Sequence, residues 1–218
     1  GLAAPAALVA GGSRGIGRAI AAGFVAAGGR VGITGRDPAS LEAARRALGE
    51  RVHVFSGDAT DTEQAAACID EVMHRLGRID ILVNNAGGGT PSGSLIDLPL
   101  RKFDSTLTFN LRSPLLWSQL AWRASMEHHG GRIINVSSLG GLTLQPGMGA
   151  YNVSKAGLNH LTRVLAAELG PRVRVNAIAA GLIRTEQSSS VWSGAEQTLG
   201  SRLPLGRLGE AEDIARAA

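Results

Sequence analysis

Cysteine is almost absent from this chain. Of its 218 residues only Cys68 is a cysteine, so the chain cannot form an internal disulfide and is unlike a disulfide-stabilised secreted domain. The opening stretch GLAAPAALVA has no basic residue before its apolar part, which favours a first strand over a signal peptide. We therefore expect a reduced, cytoplasmic protein.

Long apolar runs are also missing. No uninterrupted stretch approaches the ~20 residues that cross a bilayer, so we expect no membrane partner. Aromatic residues are few, since one Tyr, three Trp and four Phe stand against 30 Gly, a balance typical of tight turns and closely packed backbone. The chain has no linker, repeat or low-complexity segment, and we predict a single domain over residues 1–218.

Lysine is scarce as well. The net charge is +4, yet nearly all of the positive charge is arginine, because the only lysines are Lys102 and Lys155. The arginines are scattered, and no basic run is longer than a pair such as Arg45-Arg46. This pattern argues against a nucleic-acid partner. The sequence predicts no metal site either.

Short β-branched runs alternate with longer helical patterns along the whole chain. This alternation predicts an α/β fold with a doubly wound, Rossmann-like parallel sheet and ligands beyond the carboxyl ends of its strands. We predict strands at residues 6–10, 30–34, 51–58, 79–87, 131–138 and 173–181. Helices are predicted at 15–27, 39–48, 62–76, 103–128 and 150–169, with a short last helix from Glu210 and an irregular stretch before it.

The segment VAGGSRGIG at residues 9–17 lies where the first strand passes into the first helix. Gly11 can turn sharply, Gly15 lets the backbone approach a pyrophosphate, and Gly17 lets the helix pack close to the strand. Exposed N–H groups at the helix start then face the anion. The pattern is typical of dinucleotide binding, with a plain strand-to-helix turn as the alternative.

The only tyrosine, Tyr151, precedes Lys155 by four residues on a predicted helix. This spacing places both side chains on one helix face. An isolated phenol has a pKa of about 10, and a neighbouring ammonium favours the phenolate, so we expect Lys155 to lower the pKa of Tyr151 towards neutrality. The alternative is a packed tyrosine beside a solvated lysine.

Seven motifs follow one another at characteristic separations: GGSRGIG, GDATD, NNAG, FNLRSP around Asn110, INVSS, YNVSK and VNAIAAGLIRT. In this order the chain resembles the short-chain dehydrogenase/reductase family over essentially its whole length. The resemblance implies an oxidoreductase that moves a hydride between a nicotinamide cofactor and a small carbonyl or alcohol substrate. Within the family, the overall pattern of this chain is most similar to that of 3-oxoacyl carrier reductases. Ketosteroids, sugars and small ketones stay open as alternative substrates.

The same resemblance implies a role for each matching residue. Tyr151 is the expected general acid or base, Ser138 binds the substrate carbonyl, Lys155 also holds the nicotinamide ribose, and Asn110 anchors a water that links Lys155 to solvent. The implied cofactor contacts are Gly11, Ser13, Arg14, Gly15, Ile16 and Gly17 near the pyrophosphate, Asp58 and Ala59 at the adenine, Asn85, Ala86 and Gly87 on the adenosine side, and Ile183 and Thr185 at the carboxamide. A strand-end turn residue is the alternative for Asp58, and a helix cap is the alternative for Thr185.

The choice between NAD and NADP depends on the residues just beyond the second strand, which ends VGITGRD. An NAD enzyme would place a carboxylate near Gly35, but Gly35 has no side chain and Arg36 follows it. Arg36 and Arg14 can converge on a 2′-phosphate, which a guanidinium binds in bidentate fashion. We predict NADP(H), while Asp37 keeps NAD open.

The sequence departs from the family pattern at three places. Ala10 stands where threonine is usual, and Ala180 stands where proline is usual. The family's last strand and tail have no counterpart in this sequence, and we expect them to belong to a longer chain, because a sheet edge would otherwise be exposed. Substrate choice should depend on residues 92–98, on residues 139–149 and on the stretch after Thr185, where Trp192 is either a lid residue or a loop anchor.

The resemblance also bears on assembly and on the alternatives to an enzyme. The helices at 103–128 and 150–169 resemble those that pair between subunits, so we expect a homotetramer or a homodimer. A cofactor-binding sensor or interaction protein without turnover is the second hypothesis, and a nucleic-acid module is a distant third.

Overall fold

The computed structural model describes residues 4–89 and 93–218. Six strands and five main helices alternate: β1 (Ala6–Ala10), α1 (Gly15–Ala26), β2 (Arg30–Gly35), α2 (Pro38–Leu48), β3 (Val52–Ser56), α3 (Thr62–Leu76), β4 (Ile81–Asn84), α4 (100–129), β5 (Gly131–Ser138), α5 (Gly149–Leu169) and β6 (Val173–Ala180). Three short helices follow: α6 (Ser189–Trp192), α7 (Glu196–Gly200) and α8 (Ala211–Ala215). The predicted α/β fold is confirmed.

The six strands form one parallel sheet in the order β3-β2-β1-β4-β5-β6. The order reverses between β1 and β4, so the chain leaves these neighbouring strands in opposite directions and a crevice opens beyond their carboxyl ends. Within the described residues, β3 and β6 are the edges of the sheet.

Helices cover both faces of the sheet, which explains why the central strands are apolar along their whole length. Every residue of β1 is buried, and its side chains alternate between two cores. Leu8 packs in a core with α3, α4 and part of α5, whereas Val9 packs in a second core with α1, α2 and α8.

Helix α4 differs from its predicted form. It begins at Leu100, earlier than expected, runs to residue 129, and contains π-helical segments at Thr108–Arg112 and Trp122–Met126. Wider turns of this kind are frequent at functional sites, and the first of them carries Asn110.

Two other boundaries differ for reasons that lie outside the local sequence. Strand β4 ends at Asn84, because the backbone N–H groups of Asn85 and Ala86 both donate to the carbonyl oxygen of Ala10, at 3.2 and 2.8 Å. The NNAG segment therefore turns towards the end of β1. The stretch predicted as irregular contains α6 and α7. None of the helices that the structure describes is long and apolar enough to cross a membrane.

Candidate active site

The glycine loop (residues 11–17) joins β1 to α1 at the crevice. Gly11 has a φ of +78°, and a Cβ there would lie 2.8 Å from the Cα of Ala86. Gly15 has a φ of +51°. Gly17 packs against the carbonyl oxygen of Gly11 and the side-chain amide of Asn85, so a Cβ there would also clash. Gly11 and Gly17 thus hold the loop against the NNAG segment, while Gly15 lies near Thr185 in a left-handed conformation that other residues rarely adopt.

Helix α1 opens from this loop towards the crevice. Its N-cap residue, Arg14, makes no side-chain capping hydrogen bond, and its first turn contains no acidic residue. N–H groups of a first helical turn have no partner within the helix, and together with the helix dipole they favour an anion. The loop therefore fits a dinucleotide pyrophosphate.

The carboxyl ends of β2 and β3 lie beside the glycine loop. Gly35 approaches Ser13 so closely that a Cβ would lie 3.1 Å from the Ser13 hydroxyl oxygen. The carboxylate of Asp37 caps α2 by accepting from the N–H groups of Ala39 and Ser40 at 3.2 and 3.1 Å. A hydrogen bond from the Ser40 hydroxyl, together with these two, holds the pKa of Asp37 below its usual value. Asp37 is thus engaged in a structural role.

The two arginines predicted to bind phosphate are both exposed at this edge. Arg14 forms an ion pair with Glu186 at 3.2 Å. Arg36 is close enough to Asp58 to help lower the pKa of that carboxyl, although hydrogen bonds from Thr60 contribute more. Exposed ion pairs of this kind are weak, so Arg14 can exchange Glu186 for another anion.

Asp58 and Ala59 follow β3, where an adenine contact is predicted. The Asp58 carboxylate accepts from the N–H and hydroxyl of Thr60, both at 2.8 Å, which is the turn arrangement considered as its alternative. The Ala59 carbonyl accepts from Ser113 at 2.6 Å and Trp117 at 3.0 Å, both on α4. These contacts fix the segment, and the adenine contact stays a prediction.

Tyr151, Ser138 and Lys155 meet at the carboxyl end of β5. Ser138 is the last residue of β5, and its hydroxyl lies close enough to Tyr151 on α5 to affect the pKa of the phenol. The ammonium nitrogen of Lys155 lies 5.8 Å from the centre of the Tyr151 ring and donates to the carbonyl oxygen of Val136 at 2.9 Å. The alternative of a solvated lysine is wrong, because Lys155 is only 5% exposed.

The pKa of Tyr151 differs from the expectation that Lys155 would lower it. Burial raises this pKa, and the hydrogen bond with Ser138 opposes the shift. Burial also lowers the pKa of Lys155 to about 8. Loss of solvent penalises the charged form of each group, so the neutral phenol is the favoured form of Tyr151 in this structure.

Asn110 is buried in the first π-helical segment of α4. Its side chain accepts from the N–H of Gly88 at 2.8 Å, donates to the carbonyl of Gly88 at 2.8 Å, and donates to Ser154 at 3.0 Å. The side-chain amide therefore ties the segment after β4 to α5. The water that Asn110 is expected to anchor stays a prediction.

Gly88 and Gly89 belong to the site although the motif-based set ended at Gly87. A Cβ on Gly89 would lie 2.9 Å from the Cγ atom of Tyr151, so this backbone packs flat against the ring. The run GGG after NNA in the sequence is the signal that could have found them, because consecutive glycines indicate close backbone approach.

The 183–188 loop closes the other side of the crevice. Ser188 holds it together by donating to the carbonyl of Ile183 at 2.6 Å and accepting from the N–H of Thr185 at 3.2 Å. The Gln187 side chain donates to the carbonyl of Gly87 at 3.0 Å. The indole N–H of Trp192 bonds to the carbonyl of Thr185 at 3.2 Å, so Trp192 anchors the loop. No motif pointed to Ser188 or Gln187.

A cavity of about 420 Å³ opens beside the phenol, and we call it the Tyr151 cavity. The described residues that line it come from the segment after β4, from the start of α4, from α5 and from the 183–188 loop: Gly88, Gly89, Leu98, Lys102, Ser105, Thr106, Phe109, Ala150, Tyr151 and Gln187. Of the segment 92–98 predicted to affect substrate choice, Ser92 lies outside the described residues.

Comparison with known proteins identifies the family. A family model described as enoyl-(acyl carrier protein) reductase matches residues 10–218. The structure of a short-chain type dehydrogenase/reductase from Mycobacterium ulcerans superposes with a TM-score of 0.90 at 32% identity, covering 98% of this chain and 81% of that chain. This chain belongs to the short-chain dehydrogenase/reductase family. Members are NAD(P)-dependent oxidoreductases that act on CH–OH groups, and this protein is such an enzyme.

Two curated relatives of this short-chain dehydrogenase/reductase have different named activities. The 3-oxoacyl-[acyl-carrier-protein] reductase FabG of Aquifex aeolicus is 37% identical over 95% of this chain and 86% of its own length. The 3alpha-hydroxysteroid dehydrogenase of Mediterraneibacter gnavus is 36% identical over 97% of this chain and 86% of its own length. The similarity therefore covers nearly the whole fold.

Burial of Lys155 should cost the enzyme stability. The pKa of a lysine is ordinarily 10.5, and burial lowers that of Lys155 to about 8. Between these two values the unfolded chain binds more protons than the folded chain, so the free energy of unfolding rises with pH there. The loss of stability is therefore complete below pH 8 and becomes smaller as the pH rises. We expect Lys155→Met to raise the midpoint of thermal unfolding at pH 7 by several degrees, since a pKa unit corresponds to ~1.4 kcal/mol and 1 kcal/mol to about 2–4 °C.

Calorimetry at pH 7, below the pKa of the buried lysine, and at about pH 9.5, between that pKa and the ordinary value, tests this expectation. The difference between variant and wild type should shrink at the higher pH. Lys102→Met, which removes an exposed lysine, is the matched control. A difference that grows with pH would contradict the effect of burial on Lys155.

Proposed function

We propose that this protein is an NADP(H)-dependent oxidoreductase that interconverts a carbonyl compound and its alcohol, with Tyr151 as the general acid or base. The observation that carries the proposal is the meeting of Tyr151, Ser138 and Lys155 at the carboxyl end of β5, beside the Tyr151 cavity and across the crevice from the glycine loop. A bound nicotinamide cofactor supplies or accepts the hydride.

The chain's own residues handle the proton and the orientation of the substrate. Ser138 offers its hydroxyl to the substrate oxygen, and Tyr151 donates its phenolic proton to that oxygen during reduction. Burial raises the pKa of Tyr151 and so keeps the phenol protonated. Reduction of a carbonyl requires this protonated form. Lys155 holds the ribose of the cofactor next to Tyr151, while Asn110 keeps Gly88 and α5 in register.

The preference for NADP(H) rests on the edge formed by β2 and the glycine loop. Arg14 and Arg36 are the exposed cations there, Gly35 offers no carboxylate, and Asp37 is occupied as the cap of α2. The 2′-phosphate of NADP(H) can therefore bind two guanidinium groups at this edge. The free 2′-hydroxyl of NAD(H) would need a carboxylate after β2, and the one present is already committed to α2.

The substrate class is drawn from the relatives and from the cavity. A 3-oxoacyl thioester is the first candidate, because the FabG relative and the sequence motifs agree on it. A ketosteroid is the second, since another relative is named a hydroxysteroid dehydrogenase. The expected cytoplasmic location stays a prediction.

The direct test follows the loss of NADPH or NADH absorbance with 3-oxoacyl thioesters, 3-ketosteroids, sugars and small ketones. We expect oxidation of NADPH with at least one class. If neither cofactor is oxidised with any of them while NADPH binds, a sensor without turnover becomes the better interpretation.

Assembly is expected to use the outer faces of α4 and α5. A groove of about 480 Å³ lies there. Four leucines form most of its lining, Leu107, Leu111, Leu115 and Leu161, and Asp104, Thr108 and Arg112 complete it. A helix face of this kind suits a second copy of the same chain. We expect a homotetramer, or a homodimer, by light scattering at micromolar concentration, and a monomer would contradict this expectation.

A further inference from the structure

Two faces of α4 line two different cavities. Lys102, Ser105, Thr106 and Phe109 follow the i, i+3, i+4, i+7 spacing and face the Tyr151 cavity. Asp104 belongs to the opposite face, where it lines the leucine groove. The start of α4 therefore presents one lysine to the space beside the reacting phenol and directs its acidic neighbour elsewhere.

Lys102 is the only charged side chain among the described residues that line the Tyr151 cavity. It forms no ion pair within the part of the chain that the structure describes. Residues 90–92, which lie outside that part, are Thr, Pro and Ser and include no acid. Its ammonium is therefore a cation without a protein counter-ion at a site built to receive a small molecule.

The neighbouring polar groups leave the ammonium as the main donor on this face. The hydroxyls of Ser105 and Thr106 donate their single hydrogens to the carbonyl of Lys102, at 3.0 and 2.9 Å. Gln187 donates to the carbonyl of Gly87. Leu98 and Phe109 supply apolar walls beside Lys102, whose side chain is itself exposed. A substrate group that reaches this end of the cavity gains most if it carries negative charge.

We propose that Lys102 selects substrates that carry an anionic group, a carboxylate or a phosphate, on the side of the molecule away from the reacting carbonyl. The inference rests on the proposed function for the identity of the reacting group, and it adds a specificity-determining residue to that site. One charge-assisted hydrogen bond in such a setting corresponds to roughly a tenfold preference or more.

Matched substrate pairs test the proposal with NADPH as the reductant. The carboxylates 4-oxopentanoate and 5-oxohexanoate are each compared with their methyl esters, and dihydroxyacetone phosphate is compared with dihydroxyacetone. We expect the wild type to favour at least one anionic member in kcat/KM. Lys102→Met should lower that ratio of anion to neutral analogue about tenfold, mainly through KM, and Lys102→Arg should retain most of it.

Arg101→Met is the matched control, because it removes one positive charge from the same helical turn without lining the cavity. It should leave the ratio unchanged. Equal loss of the ratio in Arg101→Met and Lys102→Met would assign the effect to the general potential of the surface and overturn the role of Lys102. A preference for carboxylates over phosphates, or the reverse, identifies which anion the cavity takes.

Calorimetric titration of the same pairs into enzyme saturated with NADPH separates this inference from the proposed function. Tighter binding of the anions, lost in Lys102→Met, supports the inference even if no turnover occurs, and the absence of turnover would then count against the proposed function alone. Equal binding of anions and neutral analogues, or no binding of the anions, would overturn the inference, while reduction of the esters would still support the proposed function.

Discussion

Tyr151→Phe should lower turnover by at least roughly 10²-fold, the loss typical of removing a general acid, and leave the affinity for NADPH nearly unchanged. The substitution deletes only the phenolic hydroxyl, which lies near Ser138. The ring that packs against Gly89 is retained. Steady-state kinetics on the best substrate of the panel and quenching of protein fluorescence by NADPH measure the two effects separately.

Ser137→Ala is the control for this experiment. It removes the hydroxyl one residue earlier on β5, which donates to the carbonyl of Lys155 at a long 3.5 Å and to no other of the described residues. Because successive residues of a strand point to opposite faces, Ser137 should not reach the substrate, and its loss should change turnover far less. If Tyr151→Phe kept most of its rate, another group would have to deliver the proton.

Arg36→Ala should weaken NADPH binding roughly ten- to hundredfold and change NADH binding little. The guanidinium lies at the end of β2, where Gly35 has no side chain and Asp37 is held by its capping bonds to α2. NADPH loses a bidentate partner for its 2′-phosphate, whereas NADH has no phosphate at this position. Dissociation constants for both cofactors, measured by fluorescence at fixed salt, give the result.

Arg46→Ala controls for the change in total charge, because Arg46 is exposed on α2 but does not follow β2 directly. It should affect both cofactors slightly and equally. Tighter binding of NADH than NADPH by the unmodified protein, or equal losses in Arg36→Ala, would be incompatible with a phosphate site at Arg36.

Local signals in the sequence predict several elements with the bounds that the structure has. Strand β1, helix α3 and strand β5 begin and end at the predicted residues. Helix α3 illustrates the reason, because the Asp61 side chain caps its start by accepting from Gln64, and Gly77 ends it in a left-handed conformation with a φ of 76°. Both signals act within a few residues, so a linear sequence contains them.

The candidate site could be predicted where spacing along one element is enough. Gly11, Gly15 and Gly17 belong to one strand-to-helix turn, and Tyr151 and Lys155 are separated by one turn of α5. The order of the motifs then assigned roles to the other candidate site residues, and those roles stay predictions. These features depend on short-range geometry and on the parallel sheet, both of which alternating apolar and helical patterns specify.

The amino-acid sequence by itself thus determined the sheet, the glycine loop and the facing tyrosine and lysine. Only the tertiary structure decided which charged groups pair, which cavity each one lines, and how burial shifts the pKa values of the site. Arg14 meets Glu186 across 172 positions of sequence, Lys102 turns to the Tyr151 cavity while Asp104 turns away, and burial raises the pKa of Tyr151. Desolvation and ion pairing depend on which distant segments pack together, and no short sequence pattern encodes that packing.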